Sequence, residues 1–146
     1  MVFHYTVRGG PCSGKYSHIT LSASDIVCYV GRDKYENEFL IKYGLPSDTW
    51  FHVNDLSSAH VYLRIVHDPT PNGRPDIIPI ENLPADTISD LYTITKHNSI
   101  SGSKLASVRI VATPWDNLRK MSDHDTGTVT YHSTSRCHFG RCEKDR

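Results

Sequence analysis

Apolar and polar positions alternate along this chain in short stretches, the pattern of a sheet-forming protein with few helices. His4–Val7 and Ser17–Leu21 alternate with a period near two and flank a Gly/Pro/Ser loop over 8–15, which predicts two strands and a turn. Ile26–Val30 is a continuous apolar run, short enough for a strand buried on both faces. Trp50–Val53 and His60–Val66 predict two further strands joined by a turn over 54–58. In the second of them Val61, Leu63 and Ile65 fall on one face, and His60, Tyr62 and Arg64 on the other. Val108–Thr113 and Gly127–His132 complete the predicted strands.

Two stretches change period. Asp33 is a good N-cap, and Glu36 completes a capping-box-like pair. Tyr35, Phe39 and Tyr43 then recur every four residues and form an apolar stripe. Lys34, Glu38 and Lys42 make a charged ladder beside it, and Gly44 and Pro46 end the helix. A second helix is predicted from Pro84, in its first turn, to Lys96, burying Ile88, Leu91, Tyr92 and Thr95 and stopping at Asn98. The prolines of 68–79 predict a surface loop, and 114–125 a link with a helical turn over 116–120. Interspersed strands and helices predict an α+β fold, a mixed, mainly antiparallel sheet with two principal helices packed on it. The domain is expected to span 1–132. Beyond it periodicity is lost while Arg136, Arg141, Lys144 and Arg146 accumulate, so 133–146 reads as a basic tail whose continuation has been removed.

Composition narrows the class. With 146 residues, 38% hydrophobic and 22% charged, the chain is one ordinary globular domain. No apolar run approaches the roughly 18 residues of a membrane span, and the N-terminus lacks the regions of a signal peptide. Four irregularly spaced cysteines (Cys12, Cys28, Cys137, Cys142) then suggest reduced thiols in the cytoplasm, with the nucleus as alternative. A formal net charge of zero argues against a nucleic-acid binder. The charges segregate, however: 68–90 holds Asp68, Asp76, Glu81, Asp86 and Asp90 against Arg74, while 96–120 holds Lys96, Lys104, Arg109, Arg119 and Lys120 against Asp116. A neutral total can hide a basic face.

Candidate chemistry points to binding rather than catalysis. There is no nucleophile elbow and no phosphate-binding loop motif, and Ser57 and Ser58 near His60 have no identifiable carboxylate partner, so no enzyme is expected. Cys137, His138 and Cys142, or His52 and His60, lack the second ligand pair of a zinc site; no metal or cofactor is expected. The distinctive segment is Asp48–Val53 with Ser57–Arg64. It reads as strand, turn, strand, with Trp50, His52, His60, Tyr62 and Arg64 available to one rim. Aromatic and imidazole rings stack on unpaired bases, Arg64 suits a phosphate or a base, and the Ser58 turn offers donors to an anion.

Gly31-Arg32-Asp33-Lys34-Tyr35-Glu36-Asn37-Glu38 with Leu40, then Trp50-Phe51-His52 and Ser58-Ala59-His60-Val61, resembles the NFACT-R domain family. The resemblance covers roughly 1–132 and includes Thr113-Pro114-Trp115-Asp116-Asn117-Leu118. It implies a nucleic-acid-binding accessory module of ribosome-associated processes, with RNA or DNA as partner and the ribosome or tRNA as further candidates. In the coiled-coil branch of the family a charged helical tail follows, and 133–146 would be the start of that missing region. Trp50, His52, Ser58, His60 and Arg64 are the residues expected at bases and backbone, with Arg32, Lys34, Lys96, Lys104, Arg119 and Lys120 at phosphates. The alternative is a protein-interaction scaffold that docks on a ribosomal or membrane-associated partner and positions the tail. An exposed apolar patch around Trp115 and Leu118 would be its mark.

Overall fold

The computed structural model describes residues 2–45, 47–54, 56, 58–65, 78–120 and 129–143. Ten strands and two α-helices follow in chain order among them: β1 (Phe3–Tyr5), β2 (Gly10–Pro11), β3 (Thr20–Leu21), β4 (Ile26–Val30), α1 (Lys34–Tyr43), β5 (Thr49–Val53), β6 (Val61–Ile65), α2 (Ala85–His97), β7 (Ser107–Pro114), β8 (Leu118–Arg119), β9 (Thr130–Tyr131) and β10 (His138–Glu143). Six of the strands form one sheet in the order β1-β4-β6-β5-β7-β10, and every pairing in it is antiparallel. β2–β3 and β8–β9 are two small antiparallel pairs. The fold is α+β, an antiparallel sheet with two principal helices.

Both faces of the sheet centre are covered, so β4 is apolar throughout, as its sequence requires. Alternation sends Phe51, Val53, Val61, Leu63, Ile110 and Ala112 to one face, where α2 packs. α2 contributes Leu91, fully buried, with Thr87 and Thr95 beside it and Ile88 and Tyr92 half-buried. The two threonines cost little there because each hydroxyl donates, Thr95 to the Leu91 carbonyl and Thr87 to the Arg8 carbonyl. Tyr29, Trp50, Tyr62 and Val111 take the other face, under Leu118 of β8, Tyr131 of β9, Trp115 and Leu40 of α1. Fully burying each such side chain contributes roughly 1.5–3 kcal/mol, so this second, smaller layer is a real part of the core.

Four predicted features differ from the fold. α1 runs as expected from the Asp33 cap, whose carboxylate accepts the Glu36 N–H at 2.9 Å, while Glu36 reaches back to the Arg32 N–H at 3.0 Å. Its buried face, however, is Asn37, Leu40 and Ile41, and the Tyr35–Phe39–Tyr43 stripe is exposed. Only the first set has the i, i+3, i+4 spacing of a helix face against a core. Gly44 follows on that face with an ordinary φ of −64°, so its role is space: a Cβ there would sit 2.3 Å from Trp115 Nε1, which donates to the Leu40 carbonyl at 3.0 Å. The helical turn of the link sits earlier than predicted, over Trp115–Asn117, and Leu118–Arg119 is strand. Finally, 133–143 is not tail. Asn117 ties it down through its side-chain bonds to Ser133, and β10 pairs with β7 from His138↔Ala112 to Glu143↔Ser107. The mixed polar composition of an edge strand with one half-open face hides its periodicity. Pro84 is the N-cap of α2 rather than a first-turn residue, and Asn98 caps its end. The predicted loop over 68–77 and the region 121–128 lie outside the described residues.

Candidate nucleic-acid interface

The strand register brings the rim residues together as the alternation requires. Trp50 stands opposite Tyr62 and Tyr62 opposite Tyr29, with His52 and His60 beside them on the same face. The rings pack against one another: Trp50 stacks on His52 at 5.2 Å, and His60 meets Trp50 at 5.3 Å and His52 at 5.2 Å edge-on. This face is not open, however. Trp50 is 2% exposed and His60 3%, with Tyr131 of β9 edge-on to the indole. Neither ring offers a surface on which a base can stack, and that expectation is corrected. The cover over Trp50 comes from β8 and β9, far along the chain, which alternation within β5 and β6 cannot reveal.

His52 and Ser58 are half-buried. His52 Nδ1 lies 2.6 Å from the Val53 carbonyl, and the Ser58 hydroxyl donates to the Ala59 carbonyl at 2.9 Å. Burial pushes the His52 pKa below the usual imidazole value, while hydrogen bonds to the backbone at Val53 and Ser58 oppose that shift. Arg64 is committed within the fold. Its Nε and Nη2 donate to the two Asp48 carboxylate oxygens at 2.7 and 2.8 Å, and Tyr29 Oη donates to the same carboxylate. The Asp48 side chain is wholly buried, so Arg64 is the counter-ion that makes its burial tolerable.

The expected phosphate contacts divide in the same way. Lys96, in the last turn of α2, is 6% exposed beneath the 99–104 segment, with only a 3.5 Å approach to the Ser103 carbonyl. It cannot meet a phosphate in this arrangement. Arg32, Lys34, Lys104 and Arg119 are exposed. Arg32 leans on Glu36 at 3.8 Å, and half-buried Lys120 is paired with Glu38 at 2.9 Å.

Those two pairs change the character of α1. With Glu36 and Glu38 each held by a base, the outward face presents Lys34, Tyr35, Phe39, Lys42 and Tyr43. The rings are 69%, 59% and 58% exposed. Phe39 and Tyr43 pack at 4.7 Å between centroids, and the ammonium groups of Lys34 and Lys42 sit 5.3 and 5.1 Å from the Tyr35 and Tyr43 rings. Neither lysine is ion-paired among the described residues. The arrangement offers flat π-faces flanked by positive charge, which suits unpaired bases on a phosphate backbone. Tyr35, Phe39 and Tyr43 are legible in the sequence as an apolar stripe, and the lysine directly before each tyrosine is the signal that the stripe faces outward. Trp115 and Leu118 do not form the exposed patch anticipated for a scaffold, because both pack in the second layer.

Known proteins locate this arrangement in a family. The chain is similar to Coiled-coil domain-containing protein 25 of Mus musculus, 44% identical over 132 residues that cover 90% of this chain and 54% of that protein. It is similar also to Coiled-coil domain-containing protein 25 homolog of Dictyostelium discoideum, 50% identical over 109 residues, 75% of this chain and 48% of that one. The chain thus spans about half the length of these relatives. Among solved structures, the C-terminal part of the fibronectin/fibrinogen-binding protein from Streptococcus suis shares the fold, with a TM-score of 0.62 at 17% identity over 97% of this chain and 47% of that one. Residues 15–133 match the family described as NFACT protein RNA binding domain, which supports a nucleic-acid-binding module. The chain therefore belongs to the NFACT RNA-binding domain family.

Proposed function

We propose that this domain binds unpaired nucleic acid, RNA foremost, through the outer face of α1, as an accessory in ribosome-associated work. The observation that carries the reading is the set of exposed rings Tyr35, Phe39 and Tyr43 with Lys34 and Lys42 over two of them, neither ion-paired among the described residues. Bases stack on the rings, while Lys34, Lys42 and Arg32 follow the phosphates; Lys104 and Arg119 stay available to a longer strand or to a folded RNA such as tRNA. The reading is one of binding and not of catalysis: the Ser58 hydroxyl is turned to a backbone carbonyl, and His60 is enclosed by Trp50 and His52. The four cysteine thiols fit a reducing compartment, the cytoplasm.

A salt titration of RNA binding tests it. Each phosphate neutralised contributes a log–log slope of about −0.7 on a single strand, so contacts from Arg32, Lys34 and Lys42 predict a total of about −2. A flat titration, or no binding to single strands or tRNA at low salt, sinks the proposal. The second reading is a scaffold that docks a protein on the same exposed rings and positions a coiled coil of the kind for which its relatives are named. Capture of ribosomal proteins that survives nuclease treatment and is lost in Phe39→Ala favours it instead.

A further inference from the structure

A second basic surface lies at the opposite edge of the sheet from β1. β7 and β10 pair so that Arg141 stands opposite Arg109 and Phe139 opposite Val111. Val108, Ile110 and Cys142 belong to the layer beneath α2, and Val111 to the layer beneath β8 and β9. Alternation therefore puts Arg109, Phe139 and Arg141 on the β8–β9 side, beyond the part those strands cover, and all three are exposed. Like charges directly opposite on neighbouring strands repel, so this pair works against the sheet that holds it. Arg8, Arg32 and Arg136 each lean on a carboxylate, whereas neither Arg109 nor Arg141 is ion-paired among the described residues. Glu143, the acid on the same face of β10, stands opposite Ser107.

The pair is also ordered. The Arg109 guanidinium lies 4.3 Å over the Phe139 ring, and Arg141 Nη1 donates to Ser107 Oγ at 3.0 Å. A guanidinium stacked on a ring keeps its in-plane N–H fork for an anion, and its outer face stays flat for a second ring. We propose that Arg109 and Arg141 together clamp one phosphate of a nucleic-acid strand, and that the Arg109–Phe139 stack carries the adjoining unpaired base. A nucleotide supplies a bridging anion and a flat ring within one residue, which matches this juxtaposition. An acidic side chain offers only the first of these. The inference rests on the nucleic-acid reading proposed for α1 and extends its contact surface. α1 reaches the same side of the sheet, because its Leu40 packs in the layer that contains Val111.

Anisotropy titrations of a single-stranded RNA against the full chain, repeated over a range of salt, test the clamp. Arg109→Gln and Arg141→Gln should each reduce the log–log slope by about 0.7, and the double variant by no more than either, because both hold one phosphate. Phe139→Ala should keep the slope but weaken binding about 5- to 150-fold, an effect lost on an abasic strand. The thermal midpoint of Arg141→Gln should hold or rise, since it relieves a like-charge pair, and this separates lost binding from lost folding. If the wild type binds and both glutamine variants keep its slope, the clamp is overturned while the α1 reading stands. If the wild type binds no RNA at any salt, the two fall together.

Discussion

Two sets of rings in this domain have exchanged the places their sequence patterns suggest. Trp50, His52 and His60 lie on or beside a strand pair whose alternation offers them to one rim, yet β8 and β9 close over Trp50, and His60 is buried with its ring edge-on to Trp50 and His52. Tyr35, Phe39 and Tyr43 recur like a core stripe, yet they face outward, while Asn37, Leu40 and Ile41 turn in. Local periodicity decides which residues share a face. Whether the face is covered depends on what segments distant in sequence do. A polar-looking face can thus be interior and an apolar-looking one exterior, and the difference is testable because interior rings govern stability while exterior rings govern binding.

The sharpest break in the comparison comes from the ion pair at the edge of the buried layer. Asp48→Ala removes the acceptor of both Arg64 donors and of the Tyr29 hydroxyl. Stranding those groups should cost about 3–5 kcal/mol, read as a fall in the urea midpoint. A loss below about 1 kcal/mol would mean that the layer is wetter than its geometry indicates. Trp50→Ala comes next, with a similar loss of about 3–5 kcal/mol from a ring with no solvent face. Its counterpart Phe39→Ala should stay within about 0.5 kcal/mol in stability and instead lose RNA affinity by about 5- to 150-fold. If the two variants behaved alike in stability, the assignment of interior and exterior sets would fail.

The same contrast separates what is legible in the sequence from what is not. β4, β5, β6 and β7 were legible because each is a short run whose side chains pack on both sides of one sheet. α1 and α2 were legible in extent through Asp33, Gly44 and Asn98, whose capping chemistry is local. β10 was not, since Gly140, Arg141 and Glu143 give an edge strand no apolar rhythm; its place is fixed by pairing with β7, some thirty residues earlier. Arg109, Phe139 and Arg141 were invisible as a group for that reason. The same limit applied to Arg64, whose partner Asp48 lies on the far side of a turn. Of the expected contact residues, Arg32, Lys34, Lys104 and Arg119 are exposed among the described residues.

A smaller effect probes the joint between α1 and the buried layer. Gly44→Ala needs no unusual backbone, so its cost comes chiefly from collision of the new Cβ with the Trp115 ring, with the Leu40 carbonyl oxygen a tighter-than-usual 3.0 Å away. About 1–3 kcal/mol is expected, as for other overpacked sites. Trp115→Phe, which shrinks the ring, should recover part of it in the double variant, and strict additivity of the two changes would show that the contact is not shared. The stacking face of α1 points away from this joint, so RNA affinity should move far less than stability.

The smallest expected effect is also the one that tells most about the boundary between the two sets, because His52 is half-buried and belongs to both. Its ring stacks on Trp50, and burial lowers its pKa from the ordinary 6.5. The unfolded chain therefore takes up the proton first as pH falls. Stability from this group is complete above about pH 6.5 and declines as pH drops through that value toward the lower folded pKa. His52→Phe keeps a ring on Trp50 and removes the titration, at the loss of the bond to the Val53 carbonyl. The wild type should be the more stable at about pH 8, and its advantage should narrow steadily toward about pH 5 in paired urea melts. A gap that stays constant over that range would mean that His52 titrates as a solvated imidazole. It would then stand on the accessible side of the boundary, next to Val111 and in line with Phe139, where a strand held by Arg109 and Arg141 could reach it.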